Sequence, residues 1–234
     1  MEYVKDSAVT DDSPPPTPTN LRIRRGSQAV LTWTATAATM TTAGATGLNF
    51  RNVIFDFTGI DVVVTALLPT AQHIKFYSCR FVNGTSTAQA TRSIVASTAN
   101  GLGFYDCDFY NSGDAGPASF VKIVGDALDP DGFEFVRCKF NGVNSVTALE
   151  FITTGPKNLL IQDCSFREVG AVANVVTWIG TETGWLIRNK CKLVAGQGIQ
   201  PFSATPALMS LHDNTCSDGS GENGAAVVGA GAST

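Results

Sequence analysis

Apolar and polar positions recur in one short pattern along the middle of the chain. Four segments share it: IKFYSCRF (74–81), LGFYDCDF (102–109), FEFVRCKF (133–140) and LLIQDCSF (159–166). In each segment, apolar residues lie five and three positions before a cysteine and again two positions after it. Alternation with a spacing of two is typical of a strand with one buried face, and the three-residue step before the cysteine predicts a corner between two short strands.

The same pattern continues on both sides of these segments and weakens toward the ends. Upstream, LNFRNVIF (48–55) has Val53 in the place of the cysteine, and downstream LIRNKCKL (186–193) and LHDNTCSD (211–218) keep the cysteine but lose apolar positions. The six cysteines are spaced 25 to 31 residues apart, and a second apolar stretch such as IDVVV (60–64) follows in each period. About seven periods of three short strands predict a repeat protein with atypical ends.

A period of this length without helical spacing predicts an all-β fold, a parallel β-helix in which each period forms one coil. Coils would stack about 4.8 Å apart, so equivalent residues would lie above one another. We expect an internal corner column formed by Val53, Cys79, Cys107, Cys138, Cys164, Cys191 and Cys216. Small, buried, unpaired thiols suit such a corner. The alternative is a reactive or metal-binding thiol among them, although the chain has no CxxC pair that would indicate a zinc site.

The same register predicts contacts between side chains on the outside of neighbouring coils. Directly after the cysteine, Arg80, Asp108 and Lys139 alternate in charge, which favours stacking. Two positions before it, Tyr77 and Tyr105 would stack on each other. Neither feature requires a function.

With its F-x-x-C-x-F segments and coil length, the chain resembles the pectin-lyase-like parallel β-helix family, over roughly residues 29–228. The resemblance implies a right-handed, single-stranded parallel β-helix of about seven coils. The family is widespread among polysaccharide-processing enzymes and bacteriophage virion proteins, and its phage members commonly form parallel trimers, so a homotrimer is implied. We divide the chain into an extended N-terminal arm (1–28), the β-helix domain (29–228) and a C-terminal tail (229–234).

Carbohydrate enzymes of this family use an aspartate cluster with calcium and a basic arginine, or several carboxylates with a histidine. Here Asp106 and Asp163 share the position before the cysteine, but the coil between them carries Arg137, so a charge ladder is expected rather than an acid pair.

Other acidic and titratable residues give equally weak indications of chemistry. The densest acidic stretch contains Asp126, Asp129, Asp131 and Glu134, but it lacks the full spacing of a calcium loop, and we favour an Asp-Pro-Asp-Gly turn over a calcium site. His73 and His212 lie outside any motif. We therefore predict a protein that is not an enzyme and has no catalytic residue, metal or cofactor.

Composition narrows the possible partners. Charged residues make up 15% of the chain and the net charge is −4, which disfavours a nucleic-acid partner because phosphate binding needs a basic surface. The longest apolar stretches fall short of the ~18 residues that a membrane helix needs, and the first ten residues lack the apolar core of a secretory signal. We expect no membrane partner and assembly in a cytoplasm.

The arm combines proline with clustered arginine. DDSPPPTPTN (11–20) favours an extended polyproline conformation, and it is followed by Arg22, Arg24 and Arg25. A solvated linker is one interpretation. The other, which we favour, is an arm that lies across a neighbouring subunit or larger particle, with its arginines on carboxylates of the partner.

Together these features favour a structural virion protein on the capsid surface, assembled in the host cytoplasm. Specifically, we expect a capsid decoration or cement protein that binds the major capsid protein or other virion subunits through its arm. The alternative is a phage tail spike or receptor-binding β-helix, with or without polysaccharide-degrading activity. A secreted polysaccharide lyase is disfavoured by the missing signal and motifs.

Overall fold

The computed structural model describes residues 28–33, 39–41, 46–58, 63–84, 89–96, 100–111, 116–124, 131–167, 176–192 and 208–217. Within these ranges the protein is all-β, without a helix, and its strands form three sheets of eight, six and seven strands. Arg22, Arg24, Arg25, Asp126, Asp129 and the predicted tail (229–234) lie outside the described residues.

The strands are numbered in chain order. Sheet A contains β1 (Ala29–Thr32), β4 (Val53–Asp56), β7 (Arg80–Asn83), β10 (Asp108–Asn111), β13 (Lys139–Asn141), β16 (Ser165–Arg167), β19 (Lys190–Lys192) and β21 (Thr215–Ser217). Sheet B contains β2 (Met40–Thr41), β5 (Val63–Leu68), β8 (Ala90–Ala96), β11 (Ser119–Val124), β14 (Leu149–Ile152) and β17 (Val176–Thr177). Sheet C contains β3 (Asn49–Arg51), β6 (Lys75–Tyr77), β9 (Gly103–Tyr105), β12 (Glu134–Val136), β15 (Leu159–Gln162), β18 (Thr183–Ile187) and β20 (Leu208–His212).

The chain winds through the three sheets in a fixed order. Each turn passes from sheet C to sheet A to sheet B, and each strand pairs in parallel with the equivalent strand of the next turn. Five turns, from β3–β5 to β15–β17, have all three strands described, and the next two turns have described strands in sheets C and A. The predicted parallel β-solenoid is confirmed.

The corner between sheets C and A is made by a single residue. At that position φ lies between 50° and 56°, the left-handed region, in Asn52, Ser78, Asp106, Arg137, Asp163, Arg188 and Asp213. Asn and Asp tolerate this conformation better than other non-glycine residues. The left-handed residue explains the three-residue step in the sequence pattern, because it turns the chain so that the following side chain points into the core.

Thiols occupy the position after the left-handed residue in four consecutive turns. The side chains of Cys79, Cys107, Cys138 and Cys164 are buried and unpaired by disulfides. Each thiol lies 3.3 to 3.6 Å from a backbone carbonyl of a phenylalanine in the preceding turn. Burial is the main cause that raises the pKa of Cys107 and Cys138. These cysteines are therefore packing residues with a weak capping hydrogen bond.

The prediction that Cys191 and Cys216 continue this column is wrong. Strand pairing aligns Cys191 with Phe166, and Cys216 with Cys191, so both lie two positions further along sheet A. Asn189 and Asn214 take the corner position instead. A shift of two residues leaves the alternation of inward and outward positions unchanged, so the sequence pattern did not reveal it.

The hydrogen bonds of Asn189 show what an amide side chain contributes at this corner. Its side-chain oxygen accepts a hydrogen bond from the backbone N–H of Cys164 at 2.8 Å, and its amide donates to the carbonyl of Ile161 at 2.8 Å. Asn214 repeats the arrangement one turn later, accepting from the N–H of Asn189 at 2.9 Å and donating to the carbonyl of Leu186 at 2.7 Å. The asparagines hydrogen-bond more strongly than a thiol can, and they join successive turns.

Two columns of phenylalanine run through the core. Phe50, Phe76, Phe104 and Phe135 stack behind sheet C with ring centroids 5.0 to 5.1 Å apart. Phe55, Phe81, Phe109, Phe140 and Phe166 stack behind sheet A at 4.6 to 4.8 Å. The columns meet at tilted or edge-to-face angles, and Trp33 packs against Phe57 at the N-terminal end. The corner and core together hold the outer faces rigidly in register.

Candidate functional site

A ladder of ion pairs runs along the corner between sheets C and A. The guanidinium of Arg137 binds both carboxylate oxygens of Asp106 at 2.7 and 2.8 Å. Two turns further, Arg188 binds both oxygens of Asp163 at 2.8 Å. Arg137 thus lies between the two aspartates, as the sequence predicted. Bidentate pairs fix the geometry of both partners.

This arrangement determines the protonation of the two aspartates. The hydrogen bond from Arg137 lowers the pKa of Asp106, and the one from Arg188 lowers the pKa of Asp163. A glycosidase needs one carboxyl group with a raised pKa that can donate a proton. Both aspartates are instead ionised at neutral pH and bound to arginine, so they link neighbouring turns of the solenoid.

The outer face of sheet A shows the alternation expected from the sequence. The carboxylate of Asp108 lies 3.4 Å from the guanidinium nitrogen of Arg80, and strand pairing aligns Asp108 with Lys139 on its other side. Because the Arg80 and Asp108 side chains are solvent-accessible, their pair contributes little to stability.

The outer face of sheet C carries a stack that begins with a cation. Tyr77 and Tyr105 lie 4.9 Å apart and 12° from parallel, as predicted, and the guanidinium of Arg51 covers the opposite face of Tyr77 at 4.0 Å. Since both faces of Tyr77 are occupied, that ring is not available for stacking on a sugar.

Lys75 extends the same face across two turns. Its amino group lies 3.2 Å from the hydroxyl of Tyr105 and 3.4 Å from the carboxylate of Glu134. Gly103 occupies the equivalent position in the turn between Lys75 and Glu134, and a Cβ there would lie only 2.7 Å from the Lys75 side chain. The missing side chain at Gly103 therefore allows the lysine to reach Glu134.

A charged cluster on sheet B was not found from the sequence. The buried carboxylate of Glu150 accepts hydrogen bonds from Arg92 at 3.1 Å and Ser119 at 2.9 Å, and the amino group of Lys122 lies 3.4 Å away. Burial alone would raise the pKa of Glu150, but the Arg92 and Ser119 hydrogen bonds and the cationic charges outweigh it, and the pKa is lowered. The sequence feature that could have revealed this cluster is a charged residue in or beside the second apolar stretch of three successive periods: Arg92, Lys122 and Glu150.

The remaining candidates are dispersed. Asp131 accepts a hydrogen bond from the amide of Asn158 at 2.8 Å. His73 adopts a left-handed conformation at a corner, and the exposed His212 lies 2.8 Å from the hydroxyl of Ser210. Among the described residues, no group of three or more His, Cys, Asp or Glu side chains is arranged to hold a metal ion. The structure does not bring these residues together into one site.

In the described ranges no helix is long and apolar enough to cross a bilayer. Comparison of the chain with family models, curated proteins and solved structures found no match in any of the three.

Proposed function

We propose that this chain is a non-catalytic structural protein of a virus particle, a capsid decoration or cement protein. In this proposal the β-solenoid is a rigid block on the capsid surface, the arm with Arg22, Arg24 and Arg25 binds carboxylates of the major capsid protein, and the protein acts as a homotrimer. The resemblance of the repeat to the pectin-lyase-like family supports the virion setting.

One observation carries the non-catalytic part of the proposal. The two aspartates at the corner between sheets C and A are engaged by cations of other turns: Asp106 by Arg137, Asp163 by Arg188. Glu150 is held in the same way by Arg92 and Lys122. Their pKa values are lowered, so they stay ionised at neutral pH and link turns instead of donating protons.

Rigidity supports a reinforcing role. Stacked phenylalanines, the corner thiols and asparagines, and the bidentate ion pairs each join one turn to the next. A block of this kind keeps its surface residues at fixed spacing, and many weak contacts on a lattice then add up through multivalency.

The test compares the full chain with a variant lacking residues 2–25, on purified particles stripped of the protein. We expect both forms to give the same circular dichroism spectrum, and only the full chain to sediment with the particles and raise their disruption temperature. Equal sedimentation of the two forms would refute binding through the arm. Analytical ultracentrifugation of the free protein tests the trimer, and a monomer at micromolar concentration would contradict it.

A second candidate is a receptor-binding role at a phage tail, and one observation favours it. Trp185 on the outer face of sheet C is 46% exposed and is aligned with Leu160 in the neighbouring strand, so its indole is accessible to a ligand. Cryo-electron microscopy of the particle distinguishes the two roles, because density for the solenoid at the tail tip would favour this one over the capsid.

A further inference from the structure

The ion-pair ladder at the corner between sheets C and A ends on a carboxylate. At the left-handed corner position of the last five described turns, the charge changes sign from each turn to the next, in the order Asp106, Arg137, Asp163, Arg188 and Asp213. Both arginines bind the aspartate of the preceding turn. By the same rule, an arginine one turn beyond Asp213 would bind its carboxylate.

The described part of the chain does not supply that arginine. Arg188 attracts Asp213 electrostatically, but both hydrogen bonds of its guanidinium go to Asp163. The side chain of Asp213 is exposed. Residues 193–234 contain no lysine or arginine, so the sequence that follows Asp213 cannot provide the cation either.

The strands on either side of Asp213 are the last described strands of their sheets. In the described ranges, β20 pairs with β18 and β21 pairs with β19, each along one edge. The other edge of each strand carries backbone N–H and C=O groups that can bind a further parallel strand. This end of the solenoid therefore combines a strand edge with a carboxylate at a known register.

One segment of the sequence matches what this end requires. In LRIRRGSQ (21–28), Leu21 and Ile23 lie four and two positions before Arg25. The two apolar residues that begin FEFVRCKF lie at the same distances before Arg137, which is a member of the ladder. Residues 21–25 thus have the sequence of a sheet C strand that leads into a ladder arginine.

Arg25 cannot reach Asp213 of its own molecule. In the first turn, β1 aligns Ala29 with Val53, and Gln28 donates a hydrogen bond to Asn52 at 2.8 Å, so Gln28 holds the ladder position there. Seven strand spacings of sheet A, about 34 Å, separate β1 from β21. The three residues from Gln28 back to Arg25 span at most about 11 Å. Only a second copy of the chain can bring this segment to the other end.

We propose that residues 21–25 of a second copy add to β20 as a further parallel strand, with Arg25 on the carboxylate of Asp213. The register is consistent, because the buried Met209 lies four positions before Asp213, as Leu21 lies four positions before Arg25. Backbone hydrogen bonds supply affinity, and the arginine fixes the register. The contact joins one end of a copy to the other end of the next, so it is heterologous and produces chains or closed rings.

The experiment measures binding of a fluorescent peptide, TNLRIRRGSQ (19–28), to the full chain by fluorescence anisotropy. The test substitutions are Arg25→Asp in the peptide and Asp213→Arg in the protein. Arginine already adopts the left-handed corner conformation at Arg137, and circular dichroism checks that the Asp213→Arg variant is folded. The matched control is a peptide with Arg22→Asp, which has the same change in charge at a position that the register does not place on Asp213.

We expect the wild-type peptide to bind the wild-type chain. Arg25→Asp or Asp213→Arg alone should weaken binding by about tenfold or more, because like charges then face each other. The two substitutions together should restore most of the affinity, since the pair is reversed and not removed. Arg22→Asp should cost less than about fivefold, the scale of an exposed ion pair. In sedimentation of the full chain, Arg25→Asp should lower the average mass.

Other results overturn the proposal. These are an absence of peptide binding, equal losses for Arg22→Asp and Arg25→Asp, or no recovery when the charges are reversed together. If Asp213→Arg does not fold, the comparison of the two peptide variants still decides. An unchanged average mass of the full chain with Arg25→Asp would show that copies do not associate through this contact. None of these measurements involves a particle, so they are independent of the capsid proposal.

Discussion

Phe104 offers the sharpest test of the stacked core. Its ring is fully buried and lies between Phe76 at 5.0 Å and Phe135 at 5.1 Å, nearly parallel to both. The edges of Phe81 and Phe109 approach it at 6.1 and 5.6 Å. Replacement by alanine would therefore remove one ring from the middle of a column and leave a cavity bordered by four others.

The expected loss follows from burial and from ring contacts. Truncation of a buried phenylalanine to alanine costs about 3–5 kcal/mol, and each aromatic pair contributes roughly 0.5–1.5 kcal/mol of coupling. With rings on four sides, Phe104→Ala should fall in the upper part of that range, about 4–5 kcal/mol. Phe50 is a matched control at the end of the column. In the described residues it stacks only on Phe76, so Phe50→Ala should cost about 1–2 kcal/mol less.

Urea unfolding followed by circular dichroism and tryptophan fluorescence measures both variants. Coincident transitions by the two probes and an unchanged urea dependence are needed for a two-state comparison, because stacked repeats can unfold in parts. A loss below about 1 kcal/mol for Phe104→Ala would refute the stacked register. Equal losses at Phe104 and Phe50 would show that the column does not couple neighbouring turns as inferred.

Three further predictions concern the corner, acid stability and thiol reactivity. Asn189→Ala should cost about 1–3 kcal/mol in urea unfolding, since it leaves a buried N–H and a carbonyl unpaired; a neutral effect would contradict the corner assignment. Because the pKa of Glu150 is lowered in the folded protein, its ionised side chain stabilises the fold fully at pH values above its unfolded pKa of about 4.3. This stabilisation disappears as the pH falls through the folded pKa. Glu150→Gln should therefore flatten the decrease in the free energy of unfolding at acid pH. An unchanged dependence of stability on pH in the variant would exclude this role of Glu150. Native iodoacetamide labelling, read by mass spectrometry, should modify the partly exposed Cys191 well before Cys138, whose pKa is raised by burial; the reverse order would place the thiols differently.

Local pattern determined the architecture of this protein. Alternating apolar residues around the cysteines defined the strands of sheets C and A, and the recurrence of this pattern every 25 to 31 residues predicted parallel stacking. The Tyr77–Tyr105 stack and the placement of Arg137 between Asp106 and Asp163 followed from the same alignment. These features depend on residues at equivalent positions of successive periods, which the sequence displays directly.

Tertiary structure alone decided features that depend on register and on distant partners. The shift that places Asn189 rather than Cys191 at the corner preserves the two-residue alternation, so only backbone pairing with the preceding turn reveals it. Arg92 meets Glu150 although 58 positions separate them, because Ser119 of the intervening turn leaves room for the contact. The cations Lys139, Arg167, Lys190 and Lys192 likewise come together only when the strands of sheet A are aligned, because charge accumulates across turns and not along the chain.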